Sequence, residues 1–179
     1  MVSVFDDFMT GPGSEWTTLK GTSAAAFDFA VVSGAGGIIQ ATTGNDAGSS
    51  MANNGVQISH GLNWRASNGE LALDIRAGVD STASQCLFIG FTDQAAALEM
   101  PVTLGAGDAP TAVATNAVGF LYDTFADTDE LCIIGVNAGV ATTPEFLGFT
   151  PQGASVFMRF NLSVDASGNA SFSFAESTA

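Results

Sequence analysis

Leu87-Phe88-Ile89-Gly90-Phe91-Thr92-Asp93, answered further along by Ala117-Val118-Gly119-Phe120-Leu121-Tyr122-Asp123-Thr124, decides the fold. Each stretch is a short apolar run with an internal Gly, closed by Asp and Thr. Apolar runs of this length, bounded by turn residues, read as strands buried on both faces. A Gly inside such a strand marks a bulge or a close approach of another backbone. Two such strands predict the core of a sandwich.

Working outward, other segments alternate with period two. Leu71, Leu73 and Ile75 lie on one side of a strand, with Glu70, Asp74 and Arg76 on the other. Val156, Met158, Phe160, Leu162 and Val164 repeat the pattern against Arg159, Asn161 and Ser163. Alternation of this kind puts one face in the core and leaves the other wet or at an interface. Ala25 to Val32 and Gly37 to Thr42 are expected to pair, and Leu131 to Val136 reads as a further buried run. Asn53-Asn54-Gly55 and Asn68-Gly69 signal tight turns, and Asp165 to Asn169 turns the chain into a last strand, Ala170 to Phe174. Helix signals are nearly absent; Asp93 to Leu98 could form one turn with Asp93 as N-cap, soon ended by Pro101. Gly105 to Thr115 and Ala138 to Thr143 read as surface loops of small residues. The expected fold is all-β: a single antiparallel β-sandwich or jelly roll over residues 1–179, about ten strands, with room for an extended N-terminal arm at 1–15.

Composition narrows the function classes. The chain has 179 residues, 46% hydrophobic and only 12% charged, with 21 Gly and 14 Phe. That hydrophobicity excludes the disordered class. Lys20, Arg65, Arg76 and Arg159 stand against 18 acidic residues, for a net charge of −14. Nucleic acids and anionic membranes both require clustered basic residues, so neither is an expected partner. The acidity favours solubility or a partner with a basic patch. No apolar run approaches the ~20 residues that span a bilayer, and Met1 to Asp7 lacks the basic and apolar regions of a signal peptide. Cys86 and Cys132 lie in apolar runs and read as buried free thiols rather than a disulfide, as suits a reducing cytoplasm.

Glycoside hydrolysis needs two carboxylates ~5–10 Å apart. Glu70 and Asp74 share a strand face but sit roughly 13 Å apart along it, so they read as a solvated face with Arg76 as partial counter-charge. His60 is the only His, which argues against a zinc site, and no G-x-S-x-G elbow supports a nucleophilic Ser. Asp123, Asp127, Asp129 and Glu130 alternate like part of a calcium loop but lack its central Gly, so they read as a solvated acidic turn. Trp16, Trp64 and Tyr122 are the aromatics that a sugar platform would use. No catalytic residue, metal or cofactor is expected.

Taken in order, several pieces resemble a family of tailed-phage virion proteins with a concanavalin A-like (LamG-like) jelly roll. They are Phe5-Asp6-Asp7-Phe8 with Trp16, His60-Gly61-Leu62-Asn63-Trp64, Gly90-Phe91-Thr92-Asp93, Leu98-Glu99-Met100-Pro101, Asn116 to Thr124, and Gly135-Val136-Asn137. The resemblance implies a non-enzymatic decoration (cement) protein on the virion surface, made in the host cytoplasm. Its implied partners are the major capsid protein and further copies of itself, with a trimer favoured. Sandwiches of this kind are expected to continue to a closing strand. The edge after Phe172 and Phe174 is therefore expected to be covered by a neighbouring subunit. Trp64, Tyr122, Phe172 and Phe174 are the candidate interface or glycan-platform residues. The alternative is a lectin-like virion module that binds host surface glycan through Trp64 or Tyr122.

Overall fold

The computed structural model describes residues 11–23, 27–32, 37–44, 51–60, 66–79, 85–94, 97–151 and 156–177. They belong to two compact units, one formed by Met1–Asn63 with Ala95–Glu99, the other by Trp64–Gln94 with Met100–Ala179. The protein is all-β: the described residues hold fourteen strands rather than the expected ten or so, every pairing antiparallel, with one four-residue α-helix and two three-residue 3-10 turns.

The first unit holds two strand pairs. β2 (Phe27–Val31) pairs with β3 (Ile39–Thr42), as expected for those two segments, and β1 (Thr17–Lys20) pairs with β4 (Val56–Ser59), a pair the sequence reading did not anticipate. The Asn53-Asn54-Gly55 signal is not a hairpin turn. It ends the helix α1 (Met51–Asn54), a single turn closed by the Gly55 N–H donating to the first carbonyl, Met51 O, at 2.7 Å. Gly is favoured just past a helix as well as in turns, so the same residues serve both.

The second unit is a sandwich. Its strands are β5 (Leu71–Ala77), β6 (Cys86–Thr92), β7 (Val102–Leu104), β8 (Pro110–Ala112), β9 (Ala117–Asp123), β10 (Cys132–Asn137), β11 (Val140–Ala141), β12 (Glu145–Phe146), β13 (Phe157–Val164) and β14 (Ala170–Ser177). One sheet runs β11-β10-β9-β6, with β12 also on β10; the other runs β14-β13-β5; β7 and β8 form a separate hairpin. Register explains the layering. Opposite residues share a face, so Ile75, Phe160 and Phe174 form one row across the three-stranded sheet, and Leu73, Leu162 and Phe172 the next. These rows meet the inner face of the larger sheet, formed by Ile89, Phe120, Tyr122 and Leu131. The Phe120 ring stands edge-on to Phe160 at 5.0 Å and to Phe172 at 5.3 Å.

The larger sheet is buried on its second face too. Ala117, Leu121, Cys132, Ile134 and Val136 point that way, and all are buried, as are Val102 and Leu104 of the β7–β8 hairpin. Six of the seven β9 residues are buried, which bears out the reading of that run as a strand buried on both faces. β6, expected to be buried on both faces as well, is mostly half-buried, because among the described residues it lies at the edge of the sheet.

Gly105 to Thr115 and Ala138 to Thr143 are more ordered than their composition implies. The first contains β8, and the second begins in a two-residue hairpin turn at Ala138 and Gly139, with φ of 49° and 77°. Positive φ at both central residues twists the chain to match flanking strands. Small side chains hid these strands, because they carry little hydrophobic alternation.

Candidate functional site

Gly90 and Gly119, one in each deciding stretch, lie directly opposite each other in the β6–β9 register. The pairing runs without a shift from Cys86–Asp123 to Thr92–Ala117, so neither Gly marks a bulge. Each marks a close approach instead. A Cβ on Gly90 would press on Val118 O and stand 2.6 Å from Gly119 Cα; one on Gly119 would stand 2.5 Å from Ile89 O and 2.7 Å from the Phe88 ring. Phe88 thus covers the bare backbone at Gly119.

The polar ends of these strands act as fasteners. Asp93 accepts the N–H of Thr115 (3.1 Å) and Asn116 (2.9 Å) and the Asn116 side-chain amide (3.0 Å), and its own N–H donates to Asn116 O (3.0 Å). It ties the end of β6 to the start of β9, while Ala95 and Ala96 of the turn expected after it lie outside the described residues. At the other end, Thr124 Oγ1 accepts the Gln85 N–H at 2.9 Å, and the Thr124 N–H donates to Gln85 O at 3.0 Å.

The acidic turn after β9 is similarly occupied. Asp123 is buried, and its Oδ1 accepts the Phe125 N–H at 3.0 Å. Asp127 accepts the Gly107 N–H at 2.8 Å, and Glu130 accepts the Gly148 N–H at 3.1 Å. Asp108, from the β7–β8 connection, accepts both the N–H (2.9 Å) and the hydroxyl (2.6 Å) of Thr128. Those donors hold the Asp108 carboxyl below the usual carboxylate range. The carboxylates are spent on positioning backbone, and among the described residues no group of three or more His, Cys, Asp or Glu could hold a metal ion. Phe125, within this turn, is 61% exposed.

On the outer face of the smaller sheet, Asp74 makes a two-point ion pair with Arg159, at 2.9 Å from Nε and 2.5 Å from Nη2. The hydrogen bond from Arg159 lowers the Asp74 pKa. The expected counter-charge, Arg76, lies instead over the Phe157 ring at 5.0 Å. Arg159 stands opposite Arg76 on the neighbouring strand, so it reaches Asp74 diagonally and relieves the like-charge pairing. Glu70 is exposed ahead of β5. In the first unit, His60 stands edge-on to Trp16 at 5.5 Å.

Of the residues singled out as a platform, Trp64 lies outside the described residues. Tyr122 has no exposed surface; it is part of the inter-sheet core, and burial, followed by the Asp129 carboxylate, pushes its hydroxyl up to about 12. It therefore offers no surface to a sugar. Phe172 and Phe174 are half-buried on the inner face of β14, against Phe120 and, at 5.2 Å, Phe149. Tyr122 was misleading because a Tyr at the end of a strand can point to either face, and only the register with Leu87 selects the inner one.

Cys86 and Cys132 are free, as expected, but only Cys132 is buried; Cys86, on the edge strand, is half-buried. β9 separates their strands, which puts them ~10 Å apart across the sheet, too far for a disulfide. Burial, and then the Asp123 carboxylate, pushes the Cys86 thiol up to about 12; burial and then Asp108 do the same to Cys132. Such thiols are poor nucleophiles. Comparison with known proteins returns no match to a family model, a curated protein or a solved structure.

Proposed function

We propose that the chain is a structural virion protein of the tailed-phage type, one that decorates the outside of a capsid shell and stabilises it without catalysis. One observation carries this reading. Two of the stretches behind the resemblance pair with each other, Gly90 on Gly119, and their polar ends (Asp93, Asn116, Asp123, Thr124) fasten neighbouring backbone. Paired strands tied at their ends supply the rigid architecture that a cement protein needs. Exposed Phe125 and Val140, at 61% and 70%, supply apolar contact points, and the −14 charge suits a shell with basic patches. Copies bound at neighbouring positions would tie capsomers together through effective concentration.

Co-sedimentation of the purified chain with capsids that lack it, followed by particle imaging, tests this. The expected result is saturable binding at regular shell positions that weakens as salt rises, because exposed charges are screened. A folded chain that binds no capsid at low salt overturns the proposal.

A further inference from the structure

We propose that β14 is a pairing edge for a second copy of this chain, joined antiparallel about a two-fold axis through Ser173. β14 pairs with β13 over eight consecutive residues without a bulge, and among the described residues nothing pairs with its other side. Ala170, Ser171, Ser173, Ala175 and Glu176 are exposed along it. A strand edge this long and flat is normally blunted by Lys, Pro, a bulge or charged side chains. Residues 170–175 have none of these, whereas the opposite edge, β5, carries Asp74 and Arg76.

The occupant follows from charge and register. In a chain of net charge −14, a copy is repelled by most of the surface, and this strand is uncharged up to Glu176. A two-fold axis at Ser173 sets Phe172 opposite Phe174 of the partner copy, and Ala170 opposite its Glu176, so no like charges meet. Parity is kept, so every side chain stays on its own face. The row Ile75–Phe160–Phe174 then continues through the partner's Phe172 into its Leu162 and Leu73 rows, and the reciprocal row does the same. Two three-stranded sheets become one six-stranded sheet, and the half-buried Phe172 and Phe174 rims cover each other. A role on a shell suggested a trimer; an edge that pairs with itself closes as a dimer.

A residue on the axis meets its own copy, which allows a decisive test by sedimentation of the full chain over a concentration series. Wild type is expected to dimerise. Ser173→Lys and Ser173→Glu, each alone, should raise the dimer dissociation constant about fivefold or more, since like charges face each other. An equimolar mixture of the two should dimerise at least as well as wild type. Circular dichroism checks that both variants keep the sheet, and Ser173→Cys provides a second measurement, a symmetric disulfide dimer on diamide oxidation. A monomeric wild type, a dimer indifferent to both charges, or a mixture no tighter than its components overturns the proposal. The pairing depends on the edge alone, so it can fail while capsid binding holds, and the reverse.

Discussion

Gly90 and Gly119 decide how closely β6 and β9 approach, because each leaves room for the other's backbone. The three nearest atoms a Cβ at Gly90 would meet, Val118 O, Gly119 Cα and Val118 C, are all backbone, and backbone cannot swing aside. Gly90→Ala is expected to cost about 1–3 kcal/mol of folding stability, the usual range for overpacking. Gly135→Ala, on β10, is the control: its Cβ would meet nothing nearer than 3.7 Å, and the change should stay within about 0.5 kcal/mol. Urea midpoints of the two variants check this. Equal midpoints would show that β6 and β9 can part without loss. The sequence signalled that these glycines were special and offered bulge or close approach. The choice needed the register, since a bulge and a close approach use the same residue.

At the scale of elements, the strands are held at their ends by side chains rather than by tight turns alone. Asp93 joins β6 to β9 across the whole β7–β8 excursion through three accepted hydrogen bonds. Asp93→Ala removes them all and should cost about 0.5–1.5 kcal/mol, the discounted worth of solvent-exposed bonds. Amide exchange should quicken at Thr115 and Asn116 while the β13–β14 amides stay protected. Uniform loss of protection would mean that Asp93 supports the sandwich globally. Alternation made β5 and β13 legible, because one face of each meets the core and the other faces out. β8 and β11 were not legible, because Pro, Thr, Ala and Val in runs of two or three residues carry no period.

Over the whole molecule, the titrating groups bound the pH range of stability from both sides. Asp74, Asp108 and Asp165 have pKa values lowered chiefly by hydrogen bonds from Arg159, Thr128 and Asn169 respectively. A lowered carboxyl pKa adds stability above the unfolded value, about 4, and that stability is lost as pH falls through the folded one. Cys86, Cys132 and Tyr122 are raised to about 12, chiefly by burial. Their contribution is complete below their unfolded values, roughly 8.5 for Cys and 10 for Tyr, and is lost as pH rises toward 12. The urea midpoint should therefore hold a plateau near neutrality and fall below about pH 4 and above about pH 9. Cys86→Ser with Cys132→Ser should flatten the start of the alkaline fall. An unchanged alkaline limb in that variant would show that the thiols do not titrate with unfolding.

The sequence by itself determined the all-β class, the free thiols and the strands that alternate or run apolar, because period and burial are properties of neighbours along the chain. It also determined the −14 charge that sets which surfaces a copy or partner can approach. Only the tertiary structure decided that Tyr122 is core, that Asp74 answers Arg159 and not Arg76, and that Gly90 faces Gly119. Each of those depends on which residue of a distant strand stands opposite. Register sets that pairing through contacts between residues remote in sequence, and no local pattern encodes it.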